Sequence, residues 1–185
     1  MLRRRRHHIR AKVETLLAEL GITGPEVPVE RIAQRHGIAV RRQELDEESV
    51  SGFLARQPGR HAIIGVNSTH SDKRQRFTIA HELGHFFLHD GQGQQEVHID
   101  RTQQFSVKLR SAASSRGDDT EEVEANLFAA ELLMPTRFVE QDFARRIFDL
   151  SDDDETVSAM AERFGVSTQA MSYRLAYLGL IELES

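Results

Sequence analysis

Apolar positions along this chain change their spacing several times, and each change marks an element. Val13, Leu16, Leu17 and Leu20 recur at intervals of three and four, one face of a helix. They predict a helix over residues 9–20 that Gly21 stops. Pro25 and Pro28 mark a loop, and a short helix over residues 29–36 ends at Gly37. Three short strands follow, over residues 38–42, 52–55 and 61–66. The last holds Ala62, Ile63, Ile64 and Val66, a nearly continuous apolar run that predicts deep burial. Asn67, Ser68, Thr69 and Ser71 are helix-entry residues. The helix they introduce runs through Phe77, Ile79, Ala80, Leu83, Gly84, Phe86, Phe87 and Leu88 to Gly91 and Gly93. It is apolar almost all round, the mark of a central, buried helix.

Beyond it, residues 97–99 read as one more strand and residues 106–119 as a mobile loop. A second strong helix covers residues 120–134, with Val123, Leu127, Ala130, Leu133 and Met134 inward. Pro135 stops it, and Thr136 is placed to cap a helix to residue 148. Residues 152–155 form an acidic linker, and residues 156–180 two short helices around Gly165. The pattern as a whole is α+β.

Composition narrows the possibilities. The 185 residues are 39% hydrophobic and 29% charged, enough for one core with a small appendage. We divide them at residue 150, into a main domain (1–150) and a C-terminal helical segment (151–185). There is no cysteine, which excludes disulfides, thiolate metal sites and cysteine nucleophiles and suits a reducing, cytoplasmic setting. No apolar run approaches the ~20 residues that cross a bilayer. Arg3 to Arg6 are followed by His7, His8, Ile9 and Arg10 rather than by an apolar signal core. The net charge of −5 argues against electrostatic binding of nucleic acid by the whole chain. The basic start then reads as a solvated, frayed tail, with an anion-contact site as the sharper alternative.

The candidate chemistry lies in His81-Glu82-Leu83-Gly84-His85, which fits H-E-x-x-H. On a helix, residues four apart share a face, so both imidazoles reach one cation at ~2.0–2.1 Å for zinc. Glu82 stands beside them as the catalytic general base. Two imidazoles and a carboxylate inside an apolar helix would cost several kcal/mol unless something satisfies them; a metal does so. Gly84 leaves space beside the site. A catalytic zinc needs a third protein ligand. A metzincin would place a histidine at position 91, which is Gly91, and without cysteine the ligand is a carboxylate or another histidine. Glu121, Glu122 and Glu124 crowd the start of the second helix. Glu122 is the preferred ligand, with Asn126 four residues on positioned to orient an imidazole. Glu124 is the second choice, and Glu121 fits a helix-dipole role. His89 reads as a helix-end residue. Tyr173, His89 and Arg174 have the chemistry to stabilise an oxyanion.

Phe77-Thr78-Ile79-Ala80-His81-Glu82-Leu83-Gly84-His85, then Leu88-His89, resembles the core of the ImmA/IrrE metallopeptidases. The run from Glu122 through Asn126 to Met134-Pro135 resembles their second block. Weaker likeness covers Pro28-Val29, Ile32-Ala33 and Gly37-Ile38, and resumes from Ala161 to Leu180. The resemblance implies a zincin-like fold, a small mixed or antiparallel sheet packed on the central H-E-x-x-H helix, with C-terminal helices. It implies one Zn²⁺ per chain and a glutamate third ligand, carried here onto Glu122. It also implies the substrate, a helix-turn-helix repressor cut to switch on a mobile-element or stress regulon. In such folds an edge strand pairs with the substrate backbone; that role falls here on residues 61–66.

Ala161 to Ser167, followed by Ala170-Met171 and Arg174-Leu175, resembles a helix-turn-helix. Residues 151–185 carry seven acidic and two basic residues, the wrong sign for phosphate. Packing or substrate docking suits the segment better than DNA binding. The rival to an enzyme is a degenerate zincin that acts as a non-enzymatic transcriptional regulator; the intact Glu82 disfavours it.

Overall fold

A computed structural model describes residues 2–45, 50–56, 61–89, 96–101, 117–146 and 153–182. Among them are seven helices and four strands. In chain order they are α1 (Leu2–Glu19), α2 (Val29–Arg35), β1 (Ala39–Gln43), β2 (Val50–Arg56), β3 (Ile63–Asn67), α3 (Asp72–Leu88), β4 (Glu96–Arg101), α4 (Gly117–Leu133), α5 (Thr136–Arg146), α6 (Asp153–Phe164) and α7 (Thr168–Tyr177). The α+β class read from the sequence holds.

The sheet is mixed, in the order β1-β3-β2-β4. β1 runs parallel to β3, while β2 is antiparallel to both β3 and β4. β3 is therefore interior, flanked on both sides, and cannot be the edge that pairs with a substrate. Its apolar run reports a central strand, with Ile64 and Val66 wholly buried, although Ile63, expected to be buried with them, is 39% exposed because alternate residues point to opposite faces. Among the described residues, β4 is the edge that reaches Glu82 and His85 of α3, through His98. Cross-strand partners share a face, so Val40, Ile64, Leu54 and His98 form one row across the sheet on the side that meets α3. Val97 and Ile99 point the other way and are half exposed, at 55% and 50%.

α3 fills the centre, as its all-round apolarity predicts: every residue from Thr78 to His85 is buried. It ends earlier than expected, at His89 rather than at Gly91, which lies with Gly93 outside the described residues. Arg56 of β2 terminates it. The guanidinium donates to His85 O (2.5 Å) and His89 O (2.8 Å), the position where a helix end presents unpaired carbonyls and negative potential.

Gly84 does not leave space beside the site. A Cβ there would lie 2.9 Å from Ala125 Cα and 3.0 Å from Ala125 O. The missing side chain lets α4 lie against α3 almost backbone to backbone. This contact also resets the phase of α4. Val123 and Leu127 are only half buried, whereas Ala125, Phe128, Ala129 and Leu132 are sealed completely.

Several boundaries move for identifiable reasons. α1 begins at Leu2, so the basic start is helical rather than frayed; Arg5 pairs with Glu124 at 2.6 Å and Arg6 lies over the Tyr177 ring. Ile9, Val13, Leu16 and Leu17 form its buried face. The loop expected over residues 106–119 falls outside the described residues up to 116, and residues 117–119 belong to α4. α6 starts at Asp153, so most of the expected acidic linker is its first turn, a place that favours carboxylates. Thr136 does not cap α5. Pro135 O accepts from Phe138 N and Val139 N, while Thr136 gives its N–H and hydroxyl to Glu131.

The helix pair α6–α7 turns at Gly165, whose φ of 64° suits glycine. Ser167 caps α7 by accepting from Ala170 N at 3.1 Å. Met160, Phe164, Met171 and Leu175 are fully buried in the same apolar cluster that holds Leu83 and Phe128. A buried polar clasp adds to this. Arg174, 4% exposed, donates to the Glu131 carboxylate, to Met134 O (3.0 Å) and to Thr136 Oγ1 (3.0 Å). Its charge is matched, and its Nε and Nη2 donors point at acceptors across the α4–α7 junction. Removing one member of such a pair strands the other charge in the interior, at about 3–5 kcal/mol. Arg174→Leu, with Glu131 retained, is expected to lower unfolding free energy by that amount in urea titrations. A loss below about 1 kcal/mol would mean that water reaches the clasp.

Candidate metal centre

The close α3–α4 approach sets the two helices' polar residues face to face. His81 and His85 emerge one turn apart from α3. Across from them, α4 presents Glu122 and Asn126 on either side of Ala125. His81, His85 and Glu122 form a cluster whose ligand atoms all lie within 4.8 Å of one another. The two Nε2 atoms are 3.1 Å apart; Glu122 Oε1 lies 3.2 Å from His85 Nε2, and Oε2 3.6 Å from His81 Nε2. Tetrahedral ligands at 2.0–2.1 Å from a shared zinc would sit about 3.3 Å apart, so these spacings suit one small cation.

The hydrogen bonds behind the cluster fix which nitrogen carries the proton. His81 Nδ1 lies 3.2 Å from Asn126 Oδ1, an acceptor, so Nδ1 donates and Nε2 keeps its lone pair. On the other ring the chain is longer. His89 Nε2 donates to Glu124 Oε2 (3.3 Å), which leaves His89 Nδ1 to accept from His85 Nδ1 (3.1 Å). His85 Nε2 then also presents a lone pair to the cluster. Burial, the largest cause, pushes the His85 pKa down to about 4 against the raising contact with Glu122. The ring is neutral at pH 7, the form that ligates. Two imidazole lone pairs and a carboxylate thus face one another at one buried point, a set of acceptors of the kind that coordinates a cation. The donor set fits a divalent metal ion.

Glu82 is wholly buried on α3, in the same pocket of polar groups. Glu124, the second choice for third ligand, is turned away toward Arg5 and His89. His89 is the C-cap residue of α3, in keeping with the helix-end reading, and both its nitrogens are engaged behind the cluster. Arg174 is committed to the α4–α7 clasp, which removes it as an oxyanion stabiliser. Tyr173 lies beside it on α7.

One residue escapes the sequence reading altogether. His98 of β4 places Nε2 2.9 Å from Glu122 Oε1 and Nδ1 3.7 Å from Glu82 Oε2. Its ring lies over His85 with centroids 3.8 Å apart. Contact with Glu122, and next with Glu82, pushes its pKa up to about 10. The available signal was the alternation Val97-His98-Ile99. Ordinary polarity would turn the aliphatic pair inward; the fold does the reverse.

A central H-E-x-x-H helix, a mixed sheet on one side and a glutamate-bearing helix on the other define a zincin-like metallopeptidase fold. The chain belongs to the peptidase family M78, the IrrE N-terminal-like domain family, whose model matches residues 33–176. The match spans both central blocks and continues through most of α7. Among solved structures, the chain is similar to a Mycobacterium tuberculosis transcriptional regulator, at 20% identity and a TM-score of 0.60. That likeness covers 92% of this chain and 46% of the other, so this chain spans about half the length of the protein it matches. At that identity the likeness speaks to fold. No curated protein matches the chain.

Gly84→Ala tests whether the helix contact builds the centre. The added methyl meets backbone rather than a yielding side chain. Overpacking of this kind costs about 1–3 kcal/mol, and separating the helices draws Glu122 from the imidazoles. We expect lower thermal stability together with weaker metal uptake by chelator competition. A variant with wild-type stability and uptake would show that the close contact is not needed.

Proposed function

We propose that this chain is a zinc-dependent endopeptidase that cuts a helix-turn-helix transcriptional repressor in the cytoplasm and thereby derepresses a mobile-element or stress regulon. His81, His85 and Glu122 are the metal ligands, and Glu82 is the general base. One observation carries the reading: two buried imidazoles, each with its Nδ1–H committed elsewhere, aim their lone pairs at a carboxylate across 3.2–3.6 Å. Nothing in ordinary core packing calls for that arrangement.

When bound, zinc supplies Lewis acidity that makes water a competent nucleophile near neutral pH and polarises a carbonyl. The chain's own groups do the rest. Glu82 takes the proton of the attacking water and passes it to the departing amine. Its position one residue after His81 keeps that carboxylate beside the ligand face. Asn126 and His89 hold the imidazoles in the tautomer that ligates. For the substrate, an extended peptide would pair with the outer edge of β4, the strand whose inward residue touches both Glu82 and Glu122.

We assign catalysis to residues 1–150 and a packing or substrate-docking role to residues 151–185. Both basic residues of that segment are consumed, Arg163 by Asp142 at 3.0 Å and Arg174 by Glu131. That leaves little to neutralise DNA phosphates. No helix among the described residues is long and apolar enough to cross a membrane.

The similar solved chain is described as a transcriptional regulator, which favours one second reading, a zincin-like protein that regulates without cutting. Glu82→Gln separates the two. The variant is expected to fold and to hold one zinc per chain while cleavage of a repressor encoded near its gene falls at least ~100-fold. Equal cleavage by both proteins would remove Glu82 from the chemistry; no cleavage by wild type across such repressors would favour the non-enzymatic reading. Removal of metal with a chelator should abolish cleavage, and stoichiometric zinc should restore it. Cleavage that survives complete metal removal would overturn the assignment.

A further inference from the structure

His98 occupies an unusual place. It ends a row otherwise made of Val40, Ile64 and Leu54, on the buried side of the sheet, where an aliphatic residue would pack without cost. Two aliphatic side chains, Val97 and Ile99, are instead left half exposed so that the imidazole can face inward. Turning a strand this way forfeits apolar burial on both counts, so the ring has something to do on that side. There it meets the polar groups of both helices, with Nε2 2.9 Å from Glu122 Oε1, Nδ1 3.7 Å from Glu82 Oε2, and the ring tilted 32° over His85 at 3.8 Å between centroids.

The cluster explains why a third element is needed. His81 and His85 are each oriented from behind, by Asn126 and by His89. Glu122 is the most exposed of the three, with its side chain at 17% against 2% for His81 and 4% for His85. A glutamate also has three rotatable bonds against the two of a histidine. Its carboxylate is thus the least constrained of the three donors. His98 reaches it from the sheet, and its Nε2–H donates to Oε1 at good hydrogen-bonding distance.

We propose that His98 is a positioning residue for the metal centre: by donating Nε2–H to Glu122 it holds that carboxylate in the orientation that completes the site, and so raises metal affinity. This rests on the assignment of His81, His85 and Glu122 as ligands. Residues that orient a ligand typically contribute a factor of about 10–100 in metal affinity.

Two substitutions separate donation from packing. His98→Gln keeps an N–H donor at roughly the reach of Nε2, whereas His98→Phe keeps an aromatic ring over His85 and loses the donor. Zinc affinity would be measured for wild type and both variants by competition with a chromogenic chelator, alongside thermal unfolding of each metal-free protein. We expect His98→Phe to bind zinc about 10–100-fold more weakly and His98→Gln to recover most of that loss. In a Glu122→Gln background, His98→Phe should have little further effect, because the partner it positions is gone. Wild-type affinity in His98→Phe would overturn the proposal. So would the reverse order, with Gln weaker than Phe, since ring packing would then be the operative contact. Wild type that takes up no zinc would overturn the ligand assignment itself and this proposal with it. Zinc binding by wild type that is indifferent to position 98 would leave the ligand assignment standing and remove only the role of His98.

Discussion

The near contact of two backbones governs this molecule. α3 and α4 come together where Gly84 faces Ala125, and no ordinary side chain fits between them. Helices separated by full side chains run 8–10 Å apart, and their polar groups can meet only by extending across that gap. Here the gap closes, and short, well-ordered groups suffice. Glu122 and Asn126 flank the contact on α4 while His81 and His85 flank it on α3. The same seam buries Leu83, Phe128 and Ala129, so the apolar core and the polar centre are made by one packing event. Core packing here is strained by function only in the sense that it must enclose unlike groups. It does so by giving each imidazole a hydrogen-bonding partner behind it.

How much of this could be read beforehand depended on the range of the interaction. The H-E-x-x-H helix was legible because its signal is local: two histidines and a glutamate at helical spacing within a long apolar stretch. Glu122 and Asn126 were legible for the same reason, four apart on a second helix. Ser167 as a cap and Gly165 as a turn are likewise short-range chemistry. What depends on pairing between distant segments was not legible. The apolar run around Ile64 and Val66 signals burial but not which strands lie beside it, so the sequence does not tell an interior strand from an edge. Gly84 reads in the sequence as space beside the site, but its partner forty-one positions away makes it room for a helix.

His98 was missed for a different physical reason. A lone histidine between two aliphatic residues carries no periodic signal, and the usual rule of polarity assigns it to solvent. The rule fails because the sheet's buried side is not uniformly apolar. Where the row Val40–Ile64–Leu54 reaches its last strand it passes over the carboxylates of Glu82 and Glu122, and a hydrogen-bonding ring is better matched there than an alkyl chain. Local consistency breaks where the strand meets this buried polar cluster, and the exposed Val97 and Ile99 are the visible cost of that break.

The path from Arg5 through Glu124 and His89 to His85 has a practical meaning for anyone handling the protein. Its outermost member belongs to the first turns of α1, a region that sequence inspection would offer as dispensable. Trimming those turns to make a smaller fragment, or burying them under a fused purification tag, reaches the imidazole at the centre through three side chains. Preparations that differ only at their amino-terminal extension are therefore not interchangeable samples of the same site.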